Sequence, residues 1–371
     1  MSPLVYCLPY LIPLTAAIGL GLGGWYTFTT LVVAFVILPV FDHLVGINPR
    51  NPSISEEQAL KNNPAFTWAL LMFLPVQALA VIGGAWCAAH LNLSALEWVG
   101  FVLSVGTATG AIGITISHEL CHRGNAMQRW TGFGLLSLVC YAHFGIEHVV
   151  GHHARVSTPS DPATSRLGEG LYRFLPRTIM GSLASVFAFE SLRLTKRRLS
   201  PWSLRNRLWW CFLSSIAIAV LLWFFWGGAA LGFFLTQSAF AIFLLESVNY
   251  IEHYGLRRRE IAPGRYEKVG LRHSWNASHR ISNIFLFGLQ RHSDHHAHPH
   301  RPYQILRHHD AVPQMPFGYP TMVMLATIPP LWRRVMDPKV HALDHTPLAG
   351  VIYDKGPRER VPQPPAKLTL V

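Results

Sequence analysis

The chain is short of charge. Only 13% of its 371 residues are Asp, Glu, Lys or Arg, about half the ~25% usual for soluble domains. That deficit argues against the two soluble domains the length alone would allow. Cysteine is scarce as well: Cys7, Cys87, Cys121, Cys140 and Cys211 form no Cys-x-x-Cys pair, which argues against a disulfide framework or a zinc ribbon. Most of them sit in apolar segments, where cysteine acts as a small hydrophobe. The net charge of +12 does not point to nucleic acid, because no basic stripe with interleaved aromatics lies on a polar domain. A cleaved signal peptide is not expected either. The N-terminus lacks a basic start, and its first apolar run leads straight into a second. There is no internal repeat.

What the chain has in quantity is apolar sequence, 50% of all residues. Runs cover residues 4–23, 27–45, 65–89 and 95–117, each near the ~20 residues that a spanning helix needs. A last pair, 208–226 and 229–249, is split by Gly227-Gly228. The expectation is an all-α membrane protein: six transmembrane helices in three hairpins, with a cytoplasmic His-rich catalytic portion. Residues 1–120 would hold helices one to four and end in a first histidine box, and 121–206 a cytoplasmic or re-entrant segment with a second. Residues 207–253 would hold helices five and six, 254–352 a cytoplasmic portion with a third box, and 353–371 a disordered, Pro- and charge-rich tail. The short apolar stretches 130–142 and 175–189 read as re-entrant or interfacial, as does 318–335, which would set Trp332 at headgroup level. All 31 Lys and Arg fall in 46–63, 123–207 and beyond Tyr254, and none in the short hairpin turns. The positive-inside rule puts that side, with both termini, in the cytoplasm.

Histidine carries the chemistry. Five of the 20 histidines lie between His292 and His300, in a stretch reading Leu-Gln-Arg-His-Ser-Asp-His-His-Ala-His-Pro-His from Leu289. Such a run is either an accidental His-rich loop or a metal site, and the other boxes decide. His118-Glu119-Leu120-Cys121-His122 puts two imidazoles one helical turn apart on one face. Alone it is the ambiguous H-E-x-x-H pattern of zinc proteases. Glu147-His148-Val149-Val150-Gly151-His152-His153 repeats the i, i+4 spacing and adds a neighbour. Adjacent helical residues point about 100° apart, so His152 and His153 reach two different sites. His292, His295 and His296 do the same, and His253 ends the sixth run. Nine imidazoles are too many for one tetrahedral zinc. They suit two ions with four or five nitrogens each and a position left for a small ligand. Imidazole accepts Zn, Cu, Fe and Ni alike, so the ligands do not choose the metal.

The other histidines read more plainly. His43, His90 and His143 are isolated and packed or interfacial, while His273, His279, His308, His309, His341 and His345 are solvated or structural. His298 and His300 fall out of register beyond Pro299. Ligating histidines usually donate their second N–H to a partner, and Glu119, Glu147, Asp161, Glu252, Asp294, Asn249 and Asn276 are candidates. Glu246 lies two turns before His253 on the same face. An acid inside a span is a functional candidate, or a carboxyl hydrogen-bonded between helices. Gly19, Gly21, Gly106, Gly110 and Gly113 read as helix-packing positions. Substrate-binding residues are not identified.

Taken together, the boxes resemble those of the membrane-bound alkane 1-monooxygenases, along nearly the whole chain. The resemblance rests on His118–His122, on Glu147–His153 running into Ser157-Thr158-Pro159-Ser160-Asp161-Pro162-Ala163, on 289–303, and above all on Asn249-Tyr250-Ile251-Glu252-His253-Tyr254-Gly255-Leu256. The form Gln290-Arg291-His292-Ser293-Asp294-His295-His296 is similar to the alkane branch rather than to xylene hydroxylases. The resemblance implies two non-haem iron ions held by His118, His122, His148, His152, His153, His253, His292, His295 and His296. It also implies O2 as co-substrate, terminal hydroxylation of medium- or long-chain n-alkanes, and a place in the bacterial inner membrane. Electrons would come from rubredoxin and its NAD(P)H-dependent reductase. Some members carry a fused rubredoxin; the lack of cysteine pairs here implies a separate one. The rival readings are a related diiron hydroxylase or desaturase, which uses the same boxes, an intramembrane zinc protease, which would leave most of them idle, and a metal transporter, which would spread ligands along a transmembrane path.

Overall fold

The computed structural model describes residues 2–344 and 350–351; His345 and the expected tail from residue 353 lie outside the described residues. Among the described residues, five helices are long and apolar enough to cross a membrane: Pro3–Leu22, Gly24–Val45, Ala65–His90, Ala95–Cys121 and Arg207–His253. Local chemistry sets their ends. Gly23 and Gly24 adopt positive φ, 71° and 55°, and turn the first helix into the second. Ser94 caps the fourth in a capping box, its hydroxyl accepting from the Glu97 N–H while the Glu97 carboxylate accepts from the Ser94 N–H. The same carboxylate accepts from the Gly24 N–H at 2.7 Å and ties the two turns together.

The fifth helix is two segments. Gly227 has φ 75° and ψ −162°, outside helical space. Ser215 Oγ donates to the Ser137 carbonyl and Gln237 Nε2 to the Leu138 carbonyl, both at 3.1 Å. A straight helix would hold residues 215 and 237 about 33 Å apart, so the chain doubles back at Gly227. Six apolar segments result, and the architecture is the all-α membrane protein expected.

The fourth helix is the central one. In its most apolar window 83% of residues are buried, against 22–33% in the other four helices. Those helices turn side chains such as Trp25, Leu79 and Phe224 outward, the surface a bilayer would cover. The glycines pack helices as read: a Cβ on Gly106 would lie 3.0 Å from the Gln237 carbonyl oxygen, and one on Gly110 2.7 Å from the Ala241 Cα. Gly21 alone of the five has open space around it.

One reading grows in extent and one needs correction. The stretch 175–189 is the middle of a 25-residue helix, Leu171–Thr195. Its charges, among them Arg173, Arg177, Glu190 and Arg193, broke the apolar run and hid its length. Trp332 is fully buried and not at an interface. It packs edge-on to Tyr254 and tilted against Tyr250, with centroids 5.3 and 5.2 Å away, in a core beneath the last histidine of the sixth apolar segment. Helix Ala126–Ser137 occupies most of the other short stretch.

The polar segments form one layer. Asn48 N–H donates to the Ser278 carbonyl at 2.8 Å, and Asn51 exchanges two hydrogen bonds with the His308 backbone. Arg291 donates to the Asn48 carbonyl, Arg307 pairs with Glu57, and Arg123 donates to the His300 carbonyl. The loop after the second helix, the end of the fourth and the segment around residue 300 therefore share a face.

Candidate metal centre

All nine boxed histidines meet beneath that layer. One group is His118, His122, His148, His153 and His295; the other is His152, His253, His292 and His296. Within each, one potential ligand atom per residue lies within 4.8 Å of every other. Eight of the nine rings are buried, and His153 is half-buried.

Four elements set this arrangement, one of them the sixth apolar segment, which ends in His253. The fourth helix delivers His118 and His122 from its last turn. The short helix His292–Ala297 sends His292 and His296 to one group and His295 to the other. The middle box is the instructive case. Residues Glu147–His152 are π-helical, so the chain needs five residues, not four, to return to one face. His148 therefore meets His153, with Nε2 atoms 3.0 Å apart, and His152 is released to the second group. The pairing of His148 with His152 suggested by i, i+4 spacing is overturned, while the division of His152 from His153 holds.

The Nε2 atoms converge. Those of His153 and His295 are 3.1 Å apart and those of His292 and His296 are 2.9 Å apart. Nitrogens bound side by side to one metal at about 2.1 Å would be separated by about 3.0 Å. The Nε2 atoms of His118, His122, His152 and His253 are buried with no hydrogen-bond partner among the described residues. A buried polar atom without a partner is costly, and a metal ion in each group would satisfy it. Burial brings the pKa of His122 down to about 3. Burial, then the neighbouring imidazoles, holds His148, His153, His292, His295 and His296 well below the usual range. These rings are neutral, as metal ligands must be. At His152 burial works the same way, but the Asp161 carboxylate outweighs it and raises the pKa.

The expected partners of the ligating rings divide. Asp161 Oδ2 is 2.9 Å from His152 Nδ1 and also accepts from the Thr164 hydroxyl. Glu252 Oε2 lies 3.2 Å from His292, but on its Nε2 side. Glu119, Glu147 and Asp294 touch no ligating ring. Arginines hold them instead: Arg123 on Glu119, Arg155 on Glu147 at 2.6 Å, and Arg301 on Asp294 at 2.6 Å. Each also accepts a backbone N–H, from Tyr303, His152 and Arg307 respectively, and so fixes the fold of a box. Asn276 does similar service for Ser293, and Asn249 donates to Glu246. Glu246 accepts from Tyr141, Thr178 and Asn249, at 2.7, 2.9 and 3.1 Å; it is the carboxyl bonded between helices. His298 and His300 are exposed and outside both groups.

An apolar cavity runs up to the rings. Ile12, Phe35, Leu38, Ile112, Leu244 and Phe285 are among its walls, and His118, His148, His292, Asn249 and Glu252 line it too. All three π-helical segments contribute: Val33–Ile37 through Ala34 and Phe35, Ala108–Ile114 through Gly110 to Ile112, and Glu147–His152 through His148. Its C-terminal walls, Leu286, Leu289, Tyr319 and Val323, were not foreseen; the only sequence signal was the apolar character of 284–289 and 318–328.

Residues 95–326 match the fatty acid desaturase family model, which spans every histidine of both groups and defines the class of membrane protein to which this site belongs. The chain is 43% identical to alkane 1-monooxygenase 2 of Pseudomonas aeruginosa over 90% of its length and 92% of that protein's. It is 44% identical to alkane 1-monooxygenase 1 of the same organism, over 86% and 84%. The xylene/toluene monooxygenase hydroxylase component of Pseudomonas putida is more distant, at 29% over 87% and 85%. The chain belongs to the alkane 1-monooxygenase family and is an oxidoreductase.

Proposed function

We propose that this protein hydroxylates the terminal carbon of medium- or long-chain n-alkanes, using O2 and electrons from a separate rubredoxin and its NAD(P)H-dependent reductase. The observation that carries the reading is an apolar cavity that meets imidazoles of both groups, His118 and His148 of one and His292 of the other. His118, His122, His148, His153 and His295 would hold one iron, and His152, His253, His292 and His296 the second. The bound irons would supply the activation of O2, which no amino-acid side chain can do.

The chain's own part is orientation and exclusion of water. A terminal methyl has no polar handle, so its position must come from shape alone. Walls such as Ile112, Leu244 and Phe285 admit an alkyl chain and hold one end against the rings. Asp161 fixes the His152 ring through Nδ1, leaving Nε2 for metal. The apolar outer surface supports a bilayer as the substrate's reservoir. The shared layer of arginine-rich loops supports a cytoplasmic face in a bacterial inner membrane, where an acidic donor would be steered to dock.

Purified protein supplied with rubredoxin, its reductase, NAD(P)H and alkanes of graded length should give 1-alkanols and no subterminal alcohols. Alkenes, or products only from aromatic methyl groups, would overturn the reading in favour of a desaturase or a xylene-type hydroxylase.

A further inference from the structure

The carboxylates around the imidazoles are accounted for, save one. Glu119, Glu147 and Asp294 are ion-paired to arginines. Asp161 is held by His152 and Thr164, and Glu246 by three neutral donors. Among the described residues Glu252 has neither an arginine or lysine nor a full set of donors. It is 2% exposed. Its Oε1 makes no hydrogen bond of good geometry, and the Tyr319 hydroxyl is the polar group near enough to interact with it. Its Oε2 lies 3.2 Å from His292 Nε2. That nitrogen is the one turned toward the group, because it stands 2.9 Å from His296 Nε2. A carboxylate at that position is a neighbour of the ligating atom, not a partner for the ring's far side.

The two groups are also unequal, five imidazoles against four. Glu252 stands next to His253 on the helix that supplies the smaller group, and it lines the apolar cavity. A buried carboxylate without a compensating charge is costly, and nine imidazoles, with only the Asp161 carboxylate behind His152, would leave most of the charge of two bound cations uncompensated in a low-dielectric site. Each deficit would be met by the other. We propose that Glu252 is the fifth protein ligand of the second metal, the one held by His152, His253, His292 and His296, and that it binds on the side facing the cavity. The proposal rests on the two-metal reading above. It makes the second site the anionic one, with the carboxylate between that metal and the bound alkane end.

The test compares Glu252→Gln and Glu252→Ala with Glu246→Gln, all purified from iron-supplemented cells in detergent or nanodiscs. Elemental analysis of the unmutated protein should find two irons per chain. Both Glu252 variants should fall to about one under a chelator challenge that the unmutated protein and Glu246→Gln survive. X-ray absorption on iron-loaded Glu252→Gln should show the loss of an oxygen donor. The metal-free proteins supply the arm that a purely structural residue would not pass. Without metal, Glu252→Gln should melt no lower than the unmutated chain, because it replaces a buried acid that no cation compensates with a neutral side chain of the same shape. A variant that keeps both irons with unchanged chelation kinetics overturns the proposal and leaves the two-metal reading standing. A metal-free Glu252→Gln that melts well below the unmutated chain overturns it in favour of a packing role. An unmutated protein without two metals overturns the reading beneath it.

Discussion

At the scale of single residues the centre depends on nitrogens that have no use for one another without metal. His253 is the clearest case. It is fully buried, its Nε2 has no partner, and its Nδ1 lies 3.4 Å from the His273 carbonyl oxygen. His253→Ala should abolish hydroxylation and deplete the second group of metal while the protein stays membrane-inserted. Activity comparable to that of the unmutated protein would rule out a ligand role. Asp161 acts one step further out, so Asp161→Asn should leave metal binding intact but weaker. Loss of such a partner typically costs about 10–100-fold in metal affinity, measurable by competition with a chelator of known strength. The residue identities were legible in the sequence because imidazoles clustered at one end of apolar runs are hard to explain otherwise. Their partners were not. A carboxylate next to a histidine in the sequence is as well placed to bind an arginine a turn or two further on, as Glu119, Glu147 and Asp294 do.

At the scale of elements the π-helical segments are decisive. A π-helix adds one residue to a turn, and at Glu147–His152 that residue changes which histidine faces which group. Inserting an alanine after Val150 would put His148 and His153 six residues apart, more than a π turn spans, and turn His152 and His153 away from their groups. The expected result is a protein with unchanged helical circular dichroism but without a full metal complement. Retention of both metals would show that the register there is not set by the π turn. The π segment Ala108–Ile114 lies where the fourth helix approaches the sixth apolar segment closely. Gly110→Val would force the two backbones apart, and overpacking of this kind costs about 1–3 kcal/mol. A lowered Tm with reduced turnover on long alkanes is the expected outcome. The apolar helices themselves were legible to within a few residues, because long uninterrupted runs permit little else. The full length of Leu171–Thr195 was hidden because its charges interrupt the apolar run; Glu190 is neutralised by Arg193 one turn on and by Arg207 from beyond the helix.

For the molecule as a whole, the buried imidazoles make the metal-free fold sensitive to acid. The sign follows from the lowered pKa values. An unfolded chain binds protons on these rings below about pH 6.5, whereas burial keeps His122 unprotonated down to about 3 and holds His148, His153, His292, His295 and His296 well below the usual range. Stability is therefore intact above pH 6.5 and falls as the pH drops toward 3. The Tm of chelator-stripped protein should decline steadily between pH 6.5 and 4. A flat profile would mean that water reaches the rings.

The sequence by itself determined that the chain is an apolar helical protein, that nine histidines belong together and that they are too many for one tetrahedral ion. Those conclusions rest on composition and on short-range periodicity, which a linear chain carries openly. The partition into five and four, the isolation of Glu252 and the walls of the cavity were decided only by the tertiary structure. Each depends on where a π turn rephases a helix, or on which side chains from distant segments come together. No local pattern encodes either.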